Sequence, residues 1–261
     1  MDGFDKDNIP SDITNSITTG SNAGLLLQPP MVKEITAVTT LTNVNTPSYT
    51  FKSSKAGTIT YGGNCSSSTT SATTDNNAIT FNTLSDGTYS NCTLYVTSST
   101  GVKGNTLSVT PFTVDTTATA NFTAATDNVG TVTGALTSGN TTDDTALVLS
   151  GTNESGSSVK VFNGSTELGA ATVTGTSWSY SATVANGTTY QFNVKETDLA
   201  GNTSDATSNF AVTGDTAAPT ASWSSATDNV GTVTGALTSG NTTDDTALVL
   251  SGTNESGSSV K

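Results

Sequence analysis

The sequence has no histidine and no arginine, so its eight basic residues are all lysines. Serine-type catalytic triads and most zinc sites require histidine. The 21 acidic residues outnumber the bases and give a formal net charge of −13. A nucleic-acid-binding protein needs a cationic face that displaces counterions from phosphates. These absences exclude a nucleic-acid partner and the histidine-dependent enzyme classes, and we expect a protein that is not an enzyme and has no catalytic residues.

Charged residues and long apolar runs are also scarce. Charged residues make up 11% of the chain and apolar residues 33%. No apolar run approaches the about 20 residues that a transmembrane helix needs, so we expect no membrane insertion in this segment. No segment has helical periodicity over three turns, whereas threonine favours strands and glycine, asparagine and serine favour turns. The composition therefore predicts small β-domains with thin cores.

Cysteine is limited to Cys65 and Cys92, which lie in Ser/Thr-rich, strand-like sequence. The two residues do not form a Cys-x-x-Cys pair, and there is no histidine to activate a thiolate. A structural disulfide in a protein of an oxidising compartment is the favoured interpretation. The alternative is two reduced cysteines that are buried as small apolar side chains.

The chain contains a long verbatim repeat. Residues Ala125–Lys160 recur letter for letter as Ala226–Lys261, 101 positions later. A period of about 100 residues has the size of one β-sandwich domain and is too long for a solenoid repeat. The repeat therefore predicts tandem sandwich domains.

Alternating patterns and turn signals predict strands inside these domains. Tyr190, Phe192 and Val194 lie on one face of a predicted strand, because side chains alternate between the faces of a sheet. The pair Asn163-Gly164 is a strong hairpin signal. Tyr89 and Tyr190 each follow a turn that contains glycine and match a tyrosine corner, in which the ring packs in the core and the hydroxyl bonds to the backbone.

The predicted fold class is all-β, with tandem immunoglobulin-like β-sandwich (Greek-key) domains arranged as beads on a string. We divide the chain into four segments. These are a linker or tail with an Asp-rich start at 1–32, a sandwich with the expected disulfide at 33–115, a complete repeat at 116–215, and the N-terminal half of a second repeat at 216–261.

The repeat carries motifs that are specific in combination, among them Asp127-Asn-Val-Gly130, Thr142-Asp-Asp-Thr145, Thr197-Asp-Leu-Ala-Gly-Asn202 and the junction Asp215-Thr-Ala-Ala-Pro219. With these motifs, about residues 116–261 resemble the bacterial immunoglobulin-like repeats of large secreted surface adhesins and biofilm-associated proteins. The resemblance implies a non-catalytic extender, sometimes stiffened by calcium at the domain junctions.

Calcium is the cofactor that the residues themselves favour, because this ion binds through several converging oxygen ligands and the chain is rich in aspartate. Loops at one end of a sandwich can supply such ligands. The alternative is that each aspartate caps a turn by bonding to its own backbone. The candidate ligands are Asp127, Asp143, Asp144 and Asp198, the repeat equivalents Asp228, Asp244 and Asp245, and the junction residues Asp115 and Asp215.

Two further groups of residues have competing interpretations. The first group is Glu154, Lys160, Lys195 and Glu196. Exposed surface charge is its favoured interpretation, and a lysine–amide crosslink is the alternative. The second group is Trp178, Tyr180 and Trp223. Core packing is its favoured interpretation, and a sugar-stacking platform is the alternative.

The leading functional prediction is a structural spacer or stalk in an extracellular adhesin or surface fibre protein, located outside the cell or on the bacterial cell surface. Its partners would be neighbouring Ig-like domains of the same or another chain, with cell-surface or glycan ligands bound through other regions. One alternative is a filament subunit completed by strand donation, for which 13–19 is a strand-like donor. The other alternative is a glycan- or surface-binding module.

Overall fold

The computed structural model describes residues 28–130, 133–256 and 258–261, and within these ranges the regular structure is β-strand without helix. The predicted all-β class is therefore confirmed. Residues 1–27, most of the predicted tail, lie outside the described residues. The proposed donor strand at 13–19 lies outside them as well.

Ten short strands form the first part of the chain. Their bounds are β1 (Val32–Thr36), β2 (Leu41–Thr42), β3 (Ser48–Ser53), β4 (Gly57–Gly62), β5 (Ser71–Ala72), β6 (Asp75–Thr80), β7 (Gly87–Tyr89), β8 (Thr93–Ser98), β9 (Leu107–Ser108) and β10 (Phe112–Val114). They form three sheets with the orders β1-β3-β6, β5-β4-β8-β9 and β2-β10-β7. Every second side chain is buried along β3, and Leu94 and Val96 are buried in the same alternation on β8, which is the expected pattern for strands with one face on a core.

Stacked aromatic rings fill the core of this part. The ring centroids of Tyr49 and Phe81 are 5.7 Å apart, those of Phe81 and Phe112 are 6.1 Å apart, and those of Phe112 and Tyr89 are 5.3 Å apart. The Tyr89 hydroxyl donates to the carbonyl of Ser85 at 2.8 Å. The predicted tyrosine corner is therefore confirmed at this position.

Cys65 and Cys92 form a disulfide whose Cα atoms are 5.2 Å apart, and both residues are buried. The structure thus contains the favoured disulfide in place of two reduced thiols. The two cysteines are 27 positions apart in the sequence. A closed loop of this length contributes about 3.5 kcal/mol in the chain-entropy model.

Ten further strands follow. Their bounds are β11 (Asn121–Asp127), β12 (Gly134–Ala135), β13 (Asn140–Thr142), β14 (Ala146–Thr152), β15 (Ser158–Asn163), β16 (Thr166–Ala170), β17 (Thr172–Thr174), β18 (Ser177–Thr183), β19 (Thr189–Thr197) and β20 (Phe210–Gly214). They form two five-stranded sheets with the orders β12-β11-β14-β18-β17 and β13-β20-β19-β15-β16. The Tyr190 hydroxyl bonds to the backbone here too, by accepting the N–H of Ala185 at 3.1 Å.

Both parts close with a parallel strand pair. Strand β10 runs parallel to β2, and β20 runs parallel to β13. Just beyond each closing strand, the N–H of Asp115 donates to the carbonyl of Thr42 at 2.9 Å, and the N–H of Asp215 donates to that of Thr142 at 2.8 Å. The two junctions therefore start from the same local structure.

A three-stranded sheet ends the described chain. It contains β21 (Ala221–Asp228), β22 (Gly235–Leu237) and β23 (Val249–Asn254) in the order β22-β21-β23. The described residues divide into two compact units. The first contains the chain up to Thr123 together with Ser150–Tyr180 and Phe192–Asn209. The second contains Ala124–Leu149, Ser181–Gln191 and the chain from Phe210 onward. This division does not follow the sequence repeat, and the four predicted segment limits remain predictions.

Candidate metal centre

Three acidic side chains from distant parts of the sequence converge. Asp115 directly follows β10, Glu154 lies in the turn after β14, and Asp198 directly follows β19. One carboxylate oxygen from each lies within 4.8 Å of the others. Asp198 is buried, and the other two are half-buried. Two of the nine predicted calcium ligands, Asp115 and Asp198, thus lie together. The third acid, Glu154, is one for which the sequence favoured a surface charge.

Asn202 holds two of these residues in place. Its backbone N–H donates to Oδ1 of Asp198 at 2.8 Å, and its Nδ2 donates to Oδ2 of Asp198 at 2.7 Å. The same Nδ2 donates to the carbonyl of Asp115 at 2.7 Å. A carboxylate oxygen has two lone pairs, so these bonds orient Asp198 and leave it able to bind a cation.

A fourth acid, Glu196, lies beside this cluster and is completely buried. Its Oε1 accepts the backbone N–H of Glu154 at 2.8 Å, whereas its Oε2 is buried without a hydrogen-bond partner. A buried carboxylate that lacks a partner is costly unless a proton or a cation compensates it. The interpretation of Glu196 as an exposed surface charge was therefore wrong.

The cluster carries an excess of negative charge. The pKa of Glu154 is raised, first because burial penalises its charged form, and then because Glu196, Asp115 and Asp198 repel it. The backbone N–H of Thr119 lowers that pKa and offsets part of the increase. Carboxylates that repel one another form a set of hard oxygen ligands that suits a divalent cation such as calcium.

Two other predicted ligands in the first repeat copy, Asp127 and Asp144, bond to their own turns and to each other's loop. Asp127 accepts the Thr142 hydroxyl at 2.7 Å and the N–H of Val129 at 3.0 Å. Asp144 accepts the N–H of Ala146 at 2.8 Å and, more weakly, that of Asn128 at 3.3 Å. These bonds match the capping alternative for Asp127 and Asp144, which do not join the three-acid cluster.

The second copy has the same bonds. Asp228 accepts the Thr243 hydroxyl at 2.6 Å, and Asp245 accepts the N–H of Ala247 at 2.7 Å. The remaining candidates line shallow grooves, with Asp143 and Asp215 in one and Asp244 in the other. Among the residues that the structure describes, none of these candidates belongs to a group of three converging acids.

The three aromatic residues of the proposed sugar platform have different environments. Trp178 is 2% exposed and its Nε1 donates to the carbonyl of Asn121 at 3.1 Å. The Tyr180 hydroxyl donates to the carbonyl of Leu168 at 3.1 Å. Trp223 is 64% exposed. Core packing therefore describes Trp178, the interpretation of Trp223 as a core residue was wrong, and Trp178 has no free face for a sugar ring.

The lysines of the proposed crosslink are exposed. The Nζ of Lys160 lies 3.1 Å from the Glu167 carboxylate, and both side chains are about half exposed. The Nζ of Lys195 lies 5.9 Å from the centre of the Phe162 ring. The favoured interpretation as surface charges thus describes both lysines.

A model of the bacterial Ig-like domain family matches residues 119–216. This part of the chain is a bacterial Ig-like domain. The resemblance to bacterial Ig-like repeats is therefore confirmed for this domain, which supplies Glu154 and Asp198 to the cluster, whereas Asp115 lies just before it. No curated protein matches the chain.

Three solved structures are similar at low identity. The fibronectin(III)-like modules of Clostridium thermocellum CbhA are 15% identical with a TM-score of 0.32, over 71% of this chain and 94% of that one. The mixed-linkage glucan utilization locus protein SGBP-B of Bacteroides ovatus, in complex with a mixed-linkage heptasaccharide, is 12% identical with a TM-score of 0.23, over 79% and 51%. The gamma-CGTase of alkalophilic Bacillus clarkii is 18% identical with a TM-score of 0.21, over 72% and 26%. The chain thus spans about half of the second protein and a quarter of the third, and these similarities carry no functional inference.

No helix in the described part of the chain is long and apolar enough to cross a membrane.

Proposed function

We propose that this chain is a non-catalytic structural spacer of an extracellular, repetitive adhesin or surface fibre protein, and that calcium stiffens the junction before its bacterial Ig-like domain. The observation that carries the proposal is the convergence of Asp115, Glu154 and Asp198. Asp115 directly follows β10, the last strand of the first part, and Glu154 and Asp198 belong to the bacterial Ig-like domain. A cation bound by all three would tie the connection between them.

The chemistry of the cluster supports calcium over other ions. Calcium takes six to eight oxygen ligands and tolerates irregular geometry, and the cluster offers carboxylate oxygens without histidine or thiolate. The unpaired Oε2 of Glu196 adds negative charge that a divalent ion would compensate. Sites of extracellular modules bind calcium with dissociation constants of about 0.1–1 mM, which suits a surface protein.

Two other observations support the extracellular spacer. The Cys65–Cys92 disulfide is typical of proteins from oxidising compartments. The verbatim copying of Ala125–Lys160 suits a generic spacer, because a dedicated active site gains little from a second copy of one part of a domain.

Calcium titration of thermal unfolding tests the proposal. In this experiment every variant also carries Trp223→Phe. Buried Trp178 is then the single tryptophan, and its fluorescence reports on the bacterial Ig-like domain. Calcium at ten times its dissociation constant stabilises by about 1.4 kcal/mol, so the Tm of a domain of about 100 residues should rise by about 6–11 °C. Glu154→Gln should remove most of this rise.

Glu255→Gln is the matched control. Glu255 is the repeat equivalent of Glu154, and its carboxylate accepts the N–H of Thr220 at 3.4 Å, but it belongs to no three-acid group among the described residues. This variant should keep the full calcium response. An unchanged Tm across the millimolar range in the parent protein, or an equal loss of response in both variants, would contradict the proposal.

A further inference from the structure

A side chain extends the hydrogen bonding of the first strand ladder into the junction. Beyond β10, the N–H of Asp115 still has a backbone acceptor, the carbonyl of Thr42. The next residue, Thr116, has none, and its N–H donates to Oδ1 of Asp86 at 3.1 Å. The Thr116 hydroxyl donates to the same Oδ1 at 2.8 Å. Asp86 thus holds the first residue that has left the sheet.

The second junction has the same arrangement with a different residue. The N–H of Asp215 donates to the carbonyl of Thr142, and the next two N–H groups turn to a side chain. Oδ1 of Asn186 accepts the N–H of Thr216 at 2.9 Å and that of Ala217 at 3.2 Å. At each junction, one side-chain oxygen therefore accepts the backbone N–H groups that have no backbone acceptor.

Asp86 and Asn186 occupy equivalent places in the chain. Each precedes a glycine with positive φ, Gly87 at 147° and Gly187 at 69°, in the turn that leads to a tyrosine bonded to the backbone. One residue is an acid and the other an amide, so charge is not the shared property. What they share is a short side chain with an sp² oxygen that accepts two hydrogen bonds.

We propose that Asp86 and Asn186 are linker clamps, which means that each fixes the direction in which the chain leaves its sandwich by accepting bonds from the first junction residues. The linker clamp acts without metal, because none of its bonds involves the cluster of Asp115, Glu154 and Asp198. The proposal goes beyond the proposed calcium site and does not depend on it. At the first junction, the bonds to Asp86 also restrict the backbone where a proline is missing, since Thr116–Thr119 has no counterpart of Pro219.

Distance distributions between two spin labels test the linker clamp at the first junction. Nitroxides are attached to cysteines introduced at the exposed strand positions Thr80 and Thr166 of the full chain, where the oxidised native disulfide does not react. In EDTA, Asp86→Ala should broaden the distribution clearly, because Thr116 loses its acceptor. Asp86→Asn is the matched control, since it removes the same charge, keeps the oxygen and copies position 186. It should stay as narrow as the parent.

Two results would overturn the linker clamp: distance distributions of equal width for the parent and Asp86→Ala in EDTA, or an Asp86→Asn variant as broad as Asp86→Ala. Adding calcium to Asp86→Ala separates the two proposals. Narrowing by calcium supports the cluster as a metal site. If calcium leaves the distance distribution of Asp86→Ala unchanged, calcium does not stiffen the junction, whereas the linker clamp is judged on the EDTA data alone.

Discussion

The two copies of the 36-residue repeat have one sequence and two environments. Leu149 in the first copy is fully buried, whereas its equivalent Leu250 is 66% exposed. The turn bonds nevertheless agree closely: the Thr-to-Asp hydroxyl bond is 2.7 Å in one copy and 2.6 Å in the other. Local hydrogen bonding is therefore encoded within the repeat, whereas burial depends on strands that lie outside it.

The difference follows from what surrounds each copy. Strand β14 of the first copy is the middle of a five-stranded sheet. Strand β23 of the second copy is an edge of a three-stranded sheet and the last strand of the described chain. Within the described residues, the apolar side chains of β23 are therefore exposed, although the same pattern alternates between buried and accessible positions in β14.

Truncating the equivalent leucines should separate the copies most strongly. Leu149→Ala leaves a cavity in a packed core and should cost about 2–5 kcal/mol. Leu250→Ala removes an exposed side chain and should cost less than about 0.5 kcal/mol. Amide hydrogen exchange measured by NMR resolves the two copies and should show lost protection in β14 alone. Similar losses in both strands would mean that Leu250 is also packed.

Removing the turn acceptors should release the same pair of donors in both copies. Asp127→Ala and Asp228→Ala each leave a threonine hydroxyl and a backbone N–H without their acceptor. The cost should be about 1–3 kcal/mol at Asp127, where Thr142 is buried, and smaller at Asp228, where Thr243 is exposed. Exchange of the amides of Val129 and Val230 should accelerate to a similar degree. Asparagine at either position keeps an acceptor oxygen and is the control. If only one copy responded, the turn would not be locally encoded.

Glutamine substitution at the equivalent glutamates should give the smallest difference. The raised pKa of Glu154 means that its charged form destabilises the metal-free fold above that pKa, and that the penalty is lost as pH falls and the carboxyl is protonated. Glu154→Gln should therefore stabilise the protein in EDTA at neutral pH by about 0.5 kcal/mol or less, since solvent screens part of the repulsion.

The gain from Glu154→Gln should disappear in acid, and Glu255→Gln controls for the loss of a glutamate charge outside the cluster. Urea unfolding at several pH values, followed by Trp178 fluorescence, measures both variants. A gain that grows as the pH falls would have the wrong sign and would contradict the assigned repulsion.

Much of the fold could be predicted from the sequence because its determinants are local or periodic. Alternation predicted strands such as β19, the spacing of glycine and tyrosine predicted two backbone-bonded tyrosines, and the exclusion of other thiol chemistry favoured the disulfide. The environment of Trp223 could not be predicted, because its burial depends on which strands cover it.

The candidate site was predicted only in part. Asp115 and Asp198 stood among nine aspartates, and no local feature separates converging acids from those that cap turns. The sequence does carry a signal for the burial of Glu196. This residue continues the face of Phe192 and Val194 by two positions, so the strand alternation itself places this acid on the buried side. The partner of Glu196, the backbone N–H of Glu154, is 42 positions away and is visible only in three dimensions.

The parallel closing pairs have a mechanical consequence. In each pair the short strand β2 or β13 lies early in its part of the chain, and β10 or β20 lies at its end. Tension on a chain of such units pulls the paired strands past each other along their length, so their hydrogen bonds are loaded together in shear and do not open one by one. Resistance to stretching would therefore reside in a few residue pairs, such as Thr113 with Leu41 and Thr213 with Thr141.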